Sequence, residues 1–298
     1  MFALSLGLLA ASPAPATAAG KDITLSYDAT YLVKPGDCPN TTSADTTTFN
    51  VLQGIAYGGG KVYIIFSVAK AKEKGDTLLT RWTISGNTIS CDAAVRNLDL
   101  GHGNDLAYVP SYKGEAVLLV PHGTKSDPNK KVAVVRTANL TATTFTWDVP
   151  LSAICYSTTA TGYKYVVRSD KSLIAYKEKA DHSIGSKLRS FTFAEPAEVV
   201  GKQGLDCSAN NFYNVLSVAK DTDTKKGGTK NYVYQYPQNA TSSGAWTKRL
   251  IKTTDKMVTG SKTSQEFEGM FHIGDTFYVG VNINGGTTDR IYRLKPWS

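Results

Sequence analysis

Gln53-Gly54-Ile55-Ala56-Tyr57 is the first copy of a short phrase that recurs along this chain and decides its fold. The phrase is a polar residue, then Gly or Asp, then an apolar residue, a brief turn and a β-branched run. It returns at residues 104–108, 203–206 and 268–271, and we place a weaker copy at residues 163–167. A repeat with a period of about 50 residues is stronger evidence for the architecture of a protein than any single motif.

Each copy of the phrase is followed by a polar loop and a further strand. This strand has a basic residue near its middle, such as Arg81 or Arg136, except in the fourth unit, where Gln235 takes that place. A fourth strand usually follows, often near an aromatic residue. Four short antiparallel strands per unit, repeated radially, are typical of a β-propeller. A β-sandwich has a similar density of strands, but it does not require the same phrases in the same order five times.

The two ends of the chain supply the last blade together. The fifth unit stops after its third strand, and residues 23–27, continuing to 31–33, offer the missing outer strand. Such a strand closes the ring and covers an open sheet edge. We therefore predict an all-β, five-bladed β-propeller with four antiparallel strands per blade, closed by an N-terminal strand and forming a single domain over residues 20–298.

Residues 1–19 resemble a secretory signal peptide. An apolar run over residues 2–11 is followed by Ser, Pro and Ala up to Ala19, and the run is too short to span a bilayer. We expect the mature chain to begin near Gly20, to be secreted to the extracellular space and not to insert into a membrane.

Four cysteines in an exported chain indicate two disulfides, for which three connectivities exist. Cys38 and Cys91 are plausible partners, because their bond would tie the segment after the closing strand to the outer edge of the first blade. That choice leaves Cys155 with Cys207.

The net charge of +8 points to an anionic partner. Many lysines, among them Lys70, Lys125, Lys177 and Lys220, fall after the second strand of a blade, where loops share one face. Most such charges are simply solvated, but clustering on one face favours acidic glycans or anionic wall polymers. Aromatic residues are not interleaved with these lysines, so we do not expect nucleic acid.

Polar residues at the beginnings of the inner strands form the candidate ligand ring. They are Gln53, His102, Asn104, Asp105, Tyr163, Gln203, Glu266 and Glu268. Hydrogen-bonding groups of mixed charge suit sugar hydroxyls, although polar residues can also merely line a wet channel.

Within this ring, the surroundings of His102 are the most suggestive of a function, because a glycine flanks it on each side. With Asp105 it could form an imidazole–carboxylate pair, bind a metal or only satisfy a turn. A metal site needs more ligands than these two, so we predict no metal and no cofactor.

A glycosidase would need two carboxylates across one sugar-binding site. Asp105 with Glu268 or Glu266 would supply them, and Asp206 is a third possibility. The corresponding positions in two other blades are Gln53 and Gln203, which cannot act as acid or base. A repeated polar site of this kind indicates recognition rather than one asymmetric reaction.

The phrases at residues 53–57 and 101–108, with Arg-centred third strands, resemble the secreted propeller proteins related to helveticin J. The size of the chain and its export signal also resemble those of the β-propeller lectin subunits of actinobacterial umbrella toxin particles. The resemblance implies a lectin that binds a cell-surface glycan and is mounted through an adaptor on a large toxin protein, with no catalytic residue. We thus expect a binding protein and not an enzyme. The alternatives are a propeller glycoside hydrolase or lyase that uses Asp105 and Glu268, and a free-standing helveticin-type bacteriocin.

Overall fold

A computed structural model describes most of the chain: residues 23–24, 27–68, 77–123, 129–160, 162–170, 172–192, 201–218, 230–238, 247–252, 265–283 and 289–294. The expected signal peptide, residues 1–19, lies outside the described residues. The described residues form five β-sheets.

The strands follow one another along the chain as five blades. Before the first complete blade come β1 (Ile23–Thr24), β2 (Tyr27–Val33), a 3-10 turn (Pro35–Asp37) and α1 (Ser43–Thr48). Blade 1 is β3 (Val51–Gly58), β4 (Lys61–Ser67), β5 (Thr77–Ser85) and β6 (Thr88–Arg96). Blade 2 is β7 (Ala107–Tyr112), β8 (Glu115–Pro121), β9 (Lys131–Arg136) and β10 (Ala142–Thr146). Blade 3 is β11 (Ala153–Tyr156), β12 (Tyr165–Ser169), β13 (Ser172–Glu178) and β14 (Ile184–Thr192). Blade 4 is β15 (Gly201–Cys207), β16 (Asn211–Val218), β17 (Lys230–Pro237) and β18 (Thr247–Lys252). Blade 5 is β19 (Gln265–Ile273), β20 (Thr276–Ile283) and β21 (Asp289–Leu294).

The N-terminal strand closes the ring as predicted. Strand β2 pairs antiparallel with β21 and is the outer strand of blade 5. Strand β1 instead pairs in parallel with β18, so it adds a fifth strand to blade 4. The five-bladed propeller is thereby confirmed, and the N-terminal segment spans the outer edges of two blades rather than one.

The hydrophobic core lies between the faces of adjacent blades. Between blades 2 and 3, for example, Val109 and Val117 pack with Val167 and Ile174, all fully or almost fully buried. Strands whose two faces are both covered read as continuous apolar runs rather than as alternating patterns. This burial explains why the second strands of the blades are so uniformly apolar.

The weak copy of the repeat, predicted at residues 163–167, does not lie on the inner strand of its blade. The inner strand of blade 3 is β11, so Ser152 and Ala153 hold the positions of Gln53 and Gly54. The run at residues 165–167 belongs to β12, the second strand, and Tyr163 lies in the loop before it. The doubly buried second strand resembled an inner strand in sequence because both are apolar.

The polar-Gly phrase marks a β-bulge in the inner strand. The register shifts between Leu52 and Gly54 in β3, and at the equivalent places in β15 and β19. The glycine is needed because inner strands of different blades converge at the axis: a Cβ on Gly204 would lie 3.0 Å from the Cα of Gly269. A bulged strand with glycine allows this close backbone approach.

Two disulfides, Cys38–Cys91 and Cys155–Cys207, confirm the predicted pairing. Both Cys155 and Cys207 lie in inner strands, so their bond joins blade 3 directly to blade 4. Two disulfides indicate an oxidising environment, such as the outside of the cell. No helix within the described ranges is long and apolar enough to cross a membrane.

Candidate functional site

A propeller has two mouths, an upper one where the inner strands begin and a lower one where they end. Most of the predicted ring lies toward the upper mouth, yet little of it reaches solvent. Gln53, Asn104 and Gln203 are buried, and the Nε2 of Gln203 donates to Ser217 Oγ at 3.1 Å. Among the charged ring members, His102 and Glu266 are half-buried and Glu268 is buried.

Tyr163 is not part of that ring. It follows the inner strand of blade 3, so it lies toward the lower mouth. Its backbone N–H donates to Gln238 Oε1 at 3.1 Å and its ring packs beside Phe191. Its place in the ring rested on the misplaced copy of the repeat, and a ligand-binding role for Tyr163 stays a prediction.

Asp105 ties three blades together at the axis. Its side chain is 0 % exposed, and Oδ2 accepts hydrogen bonds from the backbone N–H of Ile154 at 2.8 Å and of Leu205 at 3.1 Å. Burial raises the pKa of Asp105 well above its usual value, although these backbone hydrogen bonds oppose the rise. The structure thus gives Asp105 an architectural role, enclosed among inner strands, rather than an open position against a ligand.

Further buried polar side chains link neighbouring blades in the same way. Asp289 of blade 5 accepts from Leu52 N at 2.8 Å and Ile283 N at 3.2 Å, and Asn231 Oδ1 of blade 4 accepts from Phe267 N at 2.9 Å. Burial raises the pKa of Asp289 to about 7. Buried polar groups need such partners, because an unmade hydrogen bond costs about 1–3 kcal/mol.

Glu268 belongs to this buried network too. The Nδ2 of Asn282 lies 3.4 Å from Glu268 Oε1. Burial, followed by the nearby charge of Glu266, raises the pKa of Glu268 well above its usual value. A carboxyl group with a raised pKa can serve as an acid, but this one is enclosed by protein.

The lower mouth opens into a cavity of about 850 Å³ lined by the first turns of the blades. Tyr57, Tyr108 and Tyr156 hold the same position of the repeat in the first three blades, and all three are half-buried and line the cavity. The ring of Tyr108 lies flat over Gly58, where a Cβ would be only 1.9 Å from it. Hydroxyl and amide groups of Ser157, Thr158, Asn210 and Asn211 complete the wall.

Asp206 and His272 form an acid–base pair on the floor of this cavity. The Nδ1 of His272 lies 2.9 Å from Oδ2 and 3.2 Å from Oδ1 of Asp206. Burial by itself would lower the pKa of His272, but the carboxylates of Asp206 and Asp275 outweigh it and raise the pKa above its usual value. His272 therefore keeps its proton to a higher pH than it would without these carboxylates.

Tyr156 carries a second hydrogen-bonded set at the rim. Its hydroxyl donates to Glu178 Oε1 at 2.5 Å, and His182 Nδ1 lies 2.8 Å from the same oxygen. Glu178 ends the third strand of blade 3 and His182 lies in the turn that follows it. Sequence reasoning missed Tyr156, Glu178 and His182. The available signal was the tyrosine that follows Ile-Ala or Leu-Ala in the first two copies of the phrase.

The predicted basic face is only partly described. Lys70, Lys125 and Lys220 lie outside the described residues, and Lys177 lies in β13 rather than in a loop. An anionic partner therefore stays a prediction. Within the described ranges, no cluster of three or more His, Cys, Asp or Glu side chains is arranged to hold a metal ion.

Solved structures that share this fold include proteins described as glycosidases. The alignment with a candidate glycoside hydrolase from Bacteroides ovatus covers 82 % of this chain and 86 % of that protein, with 8 % identity and a TM-score of 0.52. An exo-β-1,3-galactanase from Phanerochaete chrysosporium, bound to β-1,3-galactotriose, matches 91 % of this chain over 63 % of its own, with 12 % identity and a TM-score of 0.53. The alignment with a candidate glycosidase from Bacteroides thetaiotaomicron covers 84 % of this chain and 87 % of that protein, with 9 % identity and a TM-score of 0.51. No protein-family model and no curated protein sequence matches the chain.

These neighbours correct one expectation. We predicted a binding protein that is not an enzyme, whereas the propellers to which this chain is similar are described as glycosidases. At 8–13 % identity the likeness shows the fold alone. The resemblance to helveticin J-like proteins is confirmed only as far as the five-bladed propeller.

Proposed function

We propose that this protein is a carbohydrate-active propeller that binds a glycan in the lower cavity and cleaves a glycosidic bond there. The observation that carries this proposal is the Asp206–His272 pair, which lies on the floor of a cavity rimmed by three equivalent tyrosines. The fold shared with glycosidases supports the same class of ligand.

The cavity wall suits a sugar chain. A sugar ring presents an apolar C–H face and a rim of hydroxyls, so flat aromatic side chains and small polar groups recognise it together. Tyr57, Tyr108 and Tyr156 supply the aromatic part, and Asn210 and Asn211 supply amide donors and acceptors. The volume of about 850 Å³ falls within the range of about 300–1,000 Å³ that is usual for small-molecule sites.

The acid–base pair supplies the chemistry. Glycoside hydrolysis requires one group to protonate the departing oxygen and another to attack or to activate water. His272, whose pKa is raised by the carboxylate of Asp206, protonates the departing oxygen and later accepts a proton from water. Asp275 is a second carboxylate of the same cavity that acts on His272.

A glycan array followed by a reducing-end assay on the glycans that bind tests this function. Wild-type protein is expected to bind a glycan and to release new reducing ends from it. Asp206→Asn and His272→Gln should keep the affinity within a few fold and lose turnover by roughly 10²–10⁴-fold. Glu115→Gln, which removes an exposed carboxylate of β8 that does not line the cavity, is the matched control and should change neither.

Two results would count against the proposal. If wild-type protein binds glycans but does not cleave them, the cavity only recognises glycans and the catalytic part of the proposal is wrong. Wild-type protein that binds no glycan at all would overturn the proposal. Secretion, an adaptor or large toxin partner, and a bacteriocin activity stay predictions from the sequence.

A further inference from the structure

We propose that the lower cavity takes a glycan with unacetylated amino groups, and that Asp275 binds one of its ammonium groups beside blades 4 and 5. This inference rests on the glycan binding proposed above and deepens it by naming the charge class of the ligand. The charge is opposite in sign to that of the acidic glycans that the net charge of +8 favours.

The part of the cavity wall that blades 4 and 5 supply is acidic. Asp275 lies in the turn between β19 and β20, is exposed and lines the cavity. Its charge and that of Asp206 both raise the pKa of His272, which lines the same cavity. Even when His272 is protonated, two carboxylates act on one positive charge, so this part of the wall keeps a net negative charge.

Basic side chains do not balance these carboxylates within the described part of the cavity lining. Among the described residues that line the cavity, none is a lysine or an arginine. Lys164 approaches from blade 3, but it is not a lining residue, and its Nζ donates to the carbonyl oxygen of Thr158 at 2.5 Å. A cation brought by the ligand would supply the charge that this wall lacks.

Blade 4 has a neutral residue where three other blades carry an arginine. This position of the third strand pairs with the third residue of the second strand, and it is held by Arg81, Arg136 and Arg293 in blades 1, 2 and 5. Each of these arginines forms a salt bridge with a carboxylate of its own blade. In blade 4 the position is held by Gln235, which pairs with Tyr213 and lines the cavity. The repeat thus replaces a cation with an amide at this wall.

Aromatic rings connect Gln235 to the acidic residues. Tyr213, which is opposite Gln235, meets Phe277 edge to face with the ring centroids 5.0 Å apart. The ring of Phe277 lies 6.0 Å from that of His272, and both aromatic residues line the cavity. Aromatic rings attract cations, so a carboxylate beside them favours an ammonium group.

An amino sugar matches this combination of groups. It carries an ammonium group at one carbon and hydroxyl groups at the others, so the amide and hydroxyl groups of the cavity can still bind the rest of the ring. A glycan carboxylate would instead be repelled by Asp206 and Asp275, since like charges brought together raise the free energy of the complex.

Three oligosaccharides with the same β-1,4-linked backbone isolate the effect of ligand charge. They are chitosan tetraose, which is cationic, cellotetraose, which is neutral, and the tetramer of β-1,4-glucuronic acid, which is anionic. Calorimetric titration of the wild type at about pH 6 and low salt should give chitosan tetraose an affinity roughly fivefold higher than that of cellotetraose. The preference should shrink at high salt, because ions screen exposed charges.

Two variants locate the preference in the cavity. Asp275→Asn should remove most of the preference and keep the affinity for cellotetraose within about twofold. Gln235→Arg introduces the side chain that other blades carry at this position, and it should lower the affinity for chitosan tetraose in the same way. Glu115→Gln, which removes an exposed carboxylate that does not line the cavity, is the matched control and should keep the full preference. Circular dichroism checks that each variant is folded.

The ring nitrogen NMR signals of His272 report on the cavity itself. They should move when chitosan tetraose is added and stay unmoved with the glucuronic acid tetramer. A wild type without a preference for chitosan tetraose over cellotetraose would overturn the inference. A preference that Asp275→Asn leaves unchanged, or movement of the His272 signals by the glucuronic acid tetramer, would overturn it too. In these cases cleavage of another glycan in the cavity would leave the proposed function intact, whereas a wild type that binds no glycan at all would refute both.

Discussion

Cys155 and Cys207 are joined by a disulfide that links the inner strands of blades 3 and 4, and each cysteine is the direct neighbour of a cavity residue. Cys155 precedes Tyr156, and Cys207 follows Asp206. The bond therefore fixes the relative position of the two inner strands that carry Tyr156 and Asp206. The Cys38–Cys91 bond lies away from the cavity, at the outer edge of blade 1.

The disulfide near the cavity should matter for both stability and function. Cys155→Ala with Cys207→Ala is expected to lower the free energy of unfolding by about 2–4 kcal/mol, because the cross-link restricts the unfolded chain. It should also weaken glycan binding at least several fold, since Tyr156 and Asp206 lose their fixed spacing. Urea unfolding and calorimetric titration measure the two effects. Cys38→Ala with Cys91→Ala is the control and should destabilise similarly without changing affinity; equal losses of affinity in both variants would contradict the account.

Gly58→Ala should displace Tyr108 from the cavity wall. A Cβ at position 58 would lie 1.9 Å from the Tyr108 ring, so the ring must move. We expect a stability loss of about 1–3 kcal/mol from overpacking and a clear fall in glycan affinity. Thermal unfolding and titration against the same glycan check both. Removal of the exposed ring of Tyr27, on the outer strand of blade 5, provides the control. An unchanged affinity in Gly58→Ala would remove Tyr108 from the binding wall.

Substitution of Asp105 separates an architectural from a catalytic role. Asp105→Ala should lose about 3 kcal/mol of stability, because two backbone N–H groups lose their acceptor. Asp105→Asn keeps an oxygen acceptor and should be nearly as stable as wild type, with normal turnover per folded molecule. Urea unfolding and the reducing-end assay are sufficient for both measurements. A folded Asp105→Asn that binds glycan and does not turn it over would restore Asp105 as a catalytic residue.

Ring closure between blades 5 and 1 should depend on pH through Asp289. Its pKa is about 7 in the folded protein against 3.8 for an unburied aspartate, so the folded state holds the proton more tightly between these values. The contribution of Asp289 to stability is thus greatest below about pH 4 and is lost as the pH rises to about 7, a change of about 4 kcal/mol. Urea unfolding from pH 4 to 8 should show a flatter profile for Asp289→Asn than for wild type. Parallel profiles would contradict this role.

The blade count, the closing strand and both disulfides could be predicted from the sequence because they depend on order and period along the chain. The phrase around Gln53-Gly54 recurs in β3, β15 and β19, where the register of the inner strand shifts at the same place near the axis. The role of these polar residues as a ligand site stays a prediction. The polar residues of the phrase serve the bulge and the links between blades, and most of them are buried.

The lower cavity could be predicted only in part. The tyrosines at positions 57 and 108 follow the same phrase, and a correct third alignment would have added Tyr156. Glu178 and His182 come from another strand and its turn, and Asp206 and His272 come from two different blades. Their contacts depend on how blades twist and pack, which no spacing along one sequence reveals.

A crystal structure of Asp206→Asn with a glycan that the wild type cleaves tests the central claim most directly. The account predicts the sugar chain in the lower cavity, with rings against Tyr57, Tyr108 and Tyr156 and a glycosidic oxygen beside His272. A sugar chain bound instead at the upper mouth, among Gln53, Gln203 and Glu266, would contradict it.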